Sequence, residues 1–162
     1  MRVAVGLGGN TPQTRDALKQ VRQSWENQLD KVQFSSLYRT KPQDDLEQAD
    51  FWNAVMLGEW SGTPLELLDI LLTWELQSGR VRNPLRPKGP RVLDLDLLLF
   101  GPLVLTSERL TLPHPRMSQR AFVLIPLLEL LPESLDPRNE TPWSLALTSL
   151  GDQGVVMAEK TW

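Results

Sequence analysis

Hydrophobic and polar positions follow two rhythms along this chain, a period of two and a period near 3.6, and the switches between them mark its elements. Arg2–Leu7 (RVAVGL) is a short β-branched run and predicts a first strand. Gly8, Gly9 and Asn10 read as a turn. Thr11 or Thr14 then stands where a cap belongs, before a helix to about Asn27 with Ala17, Leu18, Val21 and Trp25 on one side. Val32–Thr40 predicts a second strand, Gln43–Asp50 a polar acidic loop, and Phe51–Trp60 a third strand. Thr63-Pro64 opens a second helix, a capping residue followed by proline in the first turn. Leu65, Leu68, Leu71, Leu72 and Leu76 give that helix its apolar face, and it ends near Gly79. Three prolines in Arg80–Pro90 exclude regular structure, and Val92–Phe100 predicts a fourth strand.

The resulting order, β-α-β-β-α-β, is that of a ferredoxin-like α+β sandwich. Beyond it, Leu103–Leu105 and Arg109–Leu112 are expected to pair as a hairpin around Thr106–Glu108. Arg120–Leu131 predicts a third helix interrupted by Pro126, Pro142–Leu150 a short fourth, and Val155–Met157 a small edge strand.

Composition narrows the classes. The 162 residues suit one domain spanning residues 1–162, and 41% hydrophobic with 23% charged residues are globular values. With no cysteine, disulfides and thiolate chemistry are excluded. The start MRVAVGLGGN is too short for a signal peptide or a spanning helix, and no later run reaches membrane length. A reduced, cytoplasmic setting and a free-standing monomer are expected. A net charge of −3 disfavours general nucleic-acid binding. The cations are nevertheless concentrated: Arg80, Arg82, Arg86, Lys88 and Arg91 lie between Gly79 and Leu93 with no acid among them. That pattern points to a small polyanion.

The sharpest candidate site is GPRVLDLDLLLF, Gly89–Phe100. Side chains two apart on a strand point the same way, so Asp94 and Asp96 share one face while Leu93, Leu95, Leu97 and Leu99 take the other. Two carboxylates about 7 Å apart at Cα converge on one cation or hold two. Mg²⁺ suits them, because it takes oxygen ligands and only one or two carboxylates, with phosphates and water completing its shell. A bare Asp-x-Asp is more often a solvated strand face. In an otherwise apolar strand, however, two like charges repel and lose solvation unless something positive lies between them. The arginine-rich loop supplies guanidinium groups that grip phosphate in pairs of hydrogen bonds, in a segment suited to a lid. His114, the one histidine, is held between Pro113 and Pro115, with Arg109, Arg116 and Arg120 near it in sequence. On periodicity alone Phe51, Asn53 and Phe122 read as core or sheet residues, and the six tryptophans as packing. The Gly6–Gly9 segment is not a Walker loop, since no Gly-Lys-Thr/Ser follows.

Taken together, VAVGLGGN (Val3–Asn10), YRT (Tyr38–Thr40), FWNAV (Phe51–Val55), GRVR (Gly79–Arg82), GPRVLDLDLLLFG (Gly89–Gly101), RLTLPHP (Arg109–Pro115) and RAFVLIPLLEL (Arg120–Leu130) resemble the 6-hydroxymethyl-7,8-dihydropterin pyrophosphokinase family across nearly the whole chain. The resemblance implies transfer of the terminal pyrophosphate of ATP to the pterin hydroxymethyl oxygen, releasing AMP, on a ferredoxin-like fold. It implies that Asp94 and Asp96 hold two Mg²⁺ ions. Arg80, Arg82, Arg91 and His114 would contact phosphates, and Arg120 the γ end. Arg109, Leu110 and Thr111 would lie along the nucleotide, with Glu75, Gln77 and Leu97 in the same region. The pterin would stack between Phe51 and Phe122 and be read by Asn53 and the Thr40 backbone. The chain departs from some members in having Lys88 before Gly-Pro-Arg instead of tryptophan, a loop Asn83–Lys88 one residue longer, Pro115 in place of a tyrosine, and phenylalanine at 51. Two other readings compete. A different Asp-x-Asp transferase would have another donor nucleotide and no stacking aromatics. A non-enzymatic ferredoxin-like module would lack carboxylates or arginines, and this chain retains them.

Overall fold

The computed structural model describes residues 1–41, 48–79 and 89–162. Arg80, Arg82, Arg86 and Lys88, and most of the predicted acidic loop, lie outside them. Strands β1 (Arg2–Gly9), β2 (Asp30–Phe34), β3 (Leu37–Thr40), β4 (Phe51–Glu59), β5 (Asp94–Phe100) and β8 (Val155–Glu159) form one sheet. Its order is β5-β1-β4-β3-β8, with β2 also pairing β4, and the recorded pairings are antiparallel. Helices α1 (Thr14–Gln28) and α2 (Pro64–Gln77) join the strands as the predicted β-α-β-β-α-β order requires. The ferredoxin-like sandwich is therefore the fold. A small hairpin, β6 (Leu105–Thr106) with β7 (Thr111–Leu112), follows, then α3 (Ala121–Leu130) and α4 (Trp143–Ser149).

Alternation along the strands sorts side chains into two cores. Val3, Val5 and Leu7 of β1, Ala54 and Met56 of β4, and Leu95 and Leu97 of β5 pack with Leu18, Val21 and Trp25 of α1 and Leu67 and Leu71 of α2. Ala4, Val55, Leu57, Leu98 and Leu99 pack on the other face with Val123, Leu124 and Leu127 of α3 and Trp143 of α4. Each fully buried Leu, Val or Met contributes about 1.5–3 kcal/mol of transfer free energy.

Several local expectations change. The predicted second strand breaks into β2 and β3 because Ser35 steps out of the ladder: its hydroxyl accepts from Val55 N at 2.9 Å and donates to Ser36 O at 2.8 Å. Gly8 and Gly9 do not turn the chain but extend β1, opposite Asn53 and Trp52. Neither threonine caps α1, whose N-cap is Gln13; Thr14 Oγ1 instead accepts from Thr11 N at 3.0 Å. The Thr63 cap holds and is reciprocated by Glu66, completing a capping box. Pro126 lies inside an uninterrupted α3, where it removes one backbone donor and is itself buried. The hairpin pairs two residues later than predicted on its first strand, with Ser107–Leu110 as its turn.

One change bears on the site. Between Ala4/Leu99 and Val5/Leu97 the β1–β5 register shifts, leaving Leu98 as the extra residue of a bulge. Alternation is reset there, so Leu99 joins Leu98 on the α3 face instead of following Leu95 and Leu97.

Candidate active site

Asp94 and Asp96 start the edge strand β5 and face the side that receives α3. Directly opposite them on β1 are Gly8 and Gly6, and opposite those on β4 are Asn53 and Val55. A side-chain-free strip therefore runs between the carboxylates and Asn53. A Cβ at Gly6 would meet only Leu98 at 3.5 Å, and one at Gly8 only Asn53 Oδ1 and Trp52 O at 3.5 Å. These are ordinary contacts, so the sheet itself would accept alanine at both places. What the glycines supply is open floor.

Above that floor lies a cleft of about 580 Å³ that continues around the β5 edge toward α2 and the hairpin turn. Thr40, Phe51, Asn53, Glu75, Arg91, Asp94, Asp96, Leu97, Arg109, Leu110, Thr111, His114, Arg120 and Phe122 all line it. These fourteen residues are thus brought to one cavity from six separate stretches of chain. Arg80 and Arg82 lie outside the described residues, and Gln77 is exposed and not among the lining. Gly6, Gly8, Lys41, Leu68 and Leu72, which nothing in the sequence marked for the site, also line the cleft, as does Arg116, one of the arginines around His114. The signal available for the glycines was their spacing of two on a strand.

The carboxylates sit among guanidinium groups and one imidazole. Arg91 Nη1 donates to Asp94 Oδ2 at 2.6 Å, while Arg120 Nη1 and His114 Nε2 stand 3.6 and 3.9 Å from the two oxygens of Asp96. His114 is set in place by its N–H, which donates to Leu98 O, the bulge residue, at 2.9 Å. Asp96 keeps 38% of its side-chain surface accessible because it opens onto the cleft, while protein packs closely on its remaining sides. Burial, and then the Asp94 charge, push its carboxyl above the usual carboxylate range, against the pull of His114, Arg120 and Arg116. Burial likewise pushes the His114 imidazole below its ordinary value, with Arg120 and Arg116 adding to the effect and Asp96 and Asp94 opposing it. Among the described residues no three His, Asp or Glu converge as a closed metal cage. Two carboxylates on an open, polar cleft fit Mg²⁺, which keeps substrate oxygens and water in its shell.

The far end of the cleft is built differently. Phe51 from β4 and Phe122 from α3 both line it and make no ring contact with each other. The Arg120 guanidinium lies 5.5 Å from the Phe122 ring centroid. Asn53 is buried, and its Nδ2 donates to Thr40 Oγ1 at 2.5 Å. Glu75 is buried under the opposite side of β5, where Oε1 accepts from Leu95 N at 2.7 Å and secures the edge strand to α2. Arg109 pairs with Asp69 of α2 across the mouth. Trp25 and Trp143 are buried in the two cores, away from this lining.

Residues 4–132 match the family model for 7,8-dihydro-6-hydroxymethylpterin-pyrophosphokinase. The chain is 42% identical over 140 residues to the 2-amino-4-hydroxy-6-hydroxymethyldihydropteridine pyrophosphokinase of Haemophilus influenzae, covering 85% of each. It is also 42% identical over 134 residues to the enzyme of that name from Pseudomonas aeruginosa, covering 82% of each. Among solved structures, Plasmodium falciparum HPPK-DHPS wild type with pteroate superposes with a TM-score of 0.71 at 13% identity, over 91% of this chain and 44% of that one. At that identity the likeness is one of fold, and the chain spans under half of that protein's length.

Proposed function

Because the chain belongs to the 7,8-dihydro-6-hydroxymethylpterin-pyrophosphokinase family, we propose that its cleft moves the terminal pyrophosphate of ATP onto the hydroxymethyl oxygen of 6-hydroxymethyl-7,8-dihydropterin, with Asp94 and Asp96 holding two Mg²⁺ ions. The family makes the chain a pyrophosphokinase of folate biosynthesis. Our reading concerns how this chain's residues carry out the reaction.

In the transfer, an oxygen–phosphorus bond forms between the hydroxymethyl oxygen and the β-phosphorus. The bond from that phosphorus to the α–β bridging oxygen breaks, AMP leaves with the oxygen, and the hydroxyl proton is released. Bound Mg²⁺ would supply charge neutralisation on the triphosphate and a template for in-line attack. Arg91, His114 and Arg120 then donate to phosphate oxygens from one wall, joined by Arg80 and Arg82. Those arginines keep their charge at any working pH, so their contribution is electrostatic stabilisation already in position when charge develops. Glu75, Leu97, Arg109, Leu110 and Thr111 line the nucleotide end. Phe51 and Phe122 sandwich the flat pterin, whose polar edge meets Asn53 and the Thr40 backbone.

The observation that carries this reading is the juxtaposition within one cleft of paired carboxylates among guanidinium groups and one imidazole and, across a glycine floor, two aromatic rings with a buried amide. The test is product analysis after mixing the protein with ATP, Mg²⁺ and the hydroxymethyl pterin. AMP and the pterin diphosphate are expected in equal amounts; ADP, or no nucleotide product, would defeat the proposal.

A further inference from the structure

Asn10 stands where β1 leaves the sheet, touches neither carboxylate, and is 4% exposed. Its main-chain N–H donates to Arg91 O at 2.9 Å, and Arg91 N–H donates back to Asn10 Oδ1 at 2.8 Å, closing a two-bond ring. From the other end of the same amide, Nδ2 donates to Gln48 Oε1 at 2.9 Å and toward Ala49 O at 3.4 Å. The orientation is dictated by chemistry. Reversing the amide would set its NH₂ against the Arg91 N–H and its oxygen against carbonyl oxygens. Approach is close as well: a Cβ on the preceding Gly9 would lie 2.5 Å from Val92 O and 2.6 Å from Thr14 Oγ1. The end of β1 is therefore seated directly on the segment that carries Arg91.

These two segments serve opposite ends of the cleft. Arg91 reaches Asp94, whereas Gln48 and Ala49 lead within two residues to Phe51. We propose that Asn10 is a positioning residue which ties the phosphate-side Arg91 to the pterin-side approach of Phe51, so that one buried amide sets the two substrate subsites in register. This rests on the reading of the cleft given above. A buried side chain used only for packing would not need its oxygen and nitrogen committed to different segments. An amide keeps an acceptor at one end and donors at the other at every working pH, as these two arms require.

Two variants separate the arms. Asn10→Asp keeps an oxygen for the Arg91 N–H but turns a second oxygen toward the Gln48 and Ala49 oxygens. Asn10→Ala removes both arms. In hydrogen–deuterium exchange on the ligand-free protein, Asn10→Asp is expected to speed exchange in residues 48–51 and spare 89–93, and Asn10→Ala to speed both. In AMP-release kinetics, Asn10→Asp is expected to raise KM for the pterin about tenfold while KM for ATP stays within about twofold. Asn10→Ala should raise both and lower kcat. Exchange unchanged at 89–93 in Asn10→Ala, or equal increases of the two KM values in Asn10→Asp, would overturn the proposal. Simple loss of folded protein scales kcat and leaves both KM values alone, so it is separated from positioning. The exchange measurement needs no turnover, so a wild-type protein releasing no AMP would fail the function and leave this inference to be decided by exchange.

Discussion

On the face that meets α1 and α2, β1 presents Val3, Val5 and Leu7, and β5 presents Leu95 and Leu97; helix side chains close over them. On the other face the same strands present Ala4, Gly6 and Gly8, and Asp94 and Asp96, and α3 covers only the Ala4 end. The two faces share strands and register and differ in what alternation delivers. The closed face is made of interchangeable apolar volume and contributes stability. The half-covered face keeps its carboxylates partly desolvated and its floor empty, which costs stability and creates a place for charge chemistry. The bulge at Leu98 is the boundary: there both Leu98 and Leu99 turn to α3, and Leu98 lines the cleft.

Substitutions on the two faces should therefore fail in opposite ways. The largest effect is expected from Asp96→Ala: AMP release falls by about three orders of magnitude, as for loss of a centre that acts through metal and phosphate charge. Its melting temperature should be unchanged or slightly raised, since a desolvated charge is removed; a sharp drop in melting temperature would mean that the carboxylate is structural. Leu18→Ala, on α1 with no surface exposed, should lose about 2–5 kcal/mol in urea unfolding and keep kcat per folded molecule. Altered kcat would show that the closed face is not independent of the chemistry.

Phe122→Ala is expected to weaken pterin binding about tenfold or more in titration calorimetry and leave ATP binding within about twofold. Equal losses would make Phe122 a packing residue. Gly8→Ala should raise both stability in urea unfolding, by about 0.5–1 kcal/mol, and KM, since it fills floor without clashing. A rise in stability with unchanged KM would remove the open-floor argument.

The last effect, on stability alone, concerns the loop between α3 and α4. Burial pushes the Asp136 carboxyl up, but hydrogen bonds from the Arg138 side chain and N–H outweigh it, so its pKa lies below the ordinary value. A group depressed in the folded state stabilises above its unfolded pKa and loses that contribution as pH falls through the folded one. Asp136→Asn should thus cost about 1–2 kcal/mol at neutral pH, and in melts its deficit against wild type should begin to shrink below about pH 4 and disappear only once pH has fallen through the depressed folded-state pKa. Turnover should not change.

Much of this molecule was legible in one dimension. The element order follows from local periodicity and caps, as at Thr63 and Glu66, because capping and alternation are interactions among near neighbours. Asp94 and Asp96 share a face for the same local reason. Ser35–Ser36 escaped notice because the break depends on a hydroxyl bonding Val55, twenty residues away. Leu99 was assigned to the wrong face because a bulge exists only relative to a partner strand, and nothing inside VLDLDLLLF announces it.

Residue types, their spacing and the sign of local charge were settled by the chain itself: carboxylates, guanidinium groups and a single imidazole, concentrated in a few short segments. Which of these groups meet was decided by packing. Arg120 reaches Asp96 only because α3 lies across the sheet, His114 only because its N–H finds Leu98 O, and Asn10 joins segments 38 and 81 residues away only because β1 ends beside both. The physical reason is range. Torsional preferences and alternation act over a few residues and are written in order along the chain, whereas hydrogen bonds and electrostatic fields act over ångströms and depend on which segments burial has made neighbours.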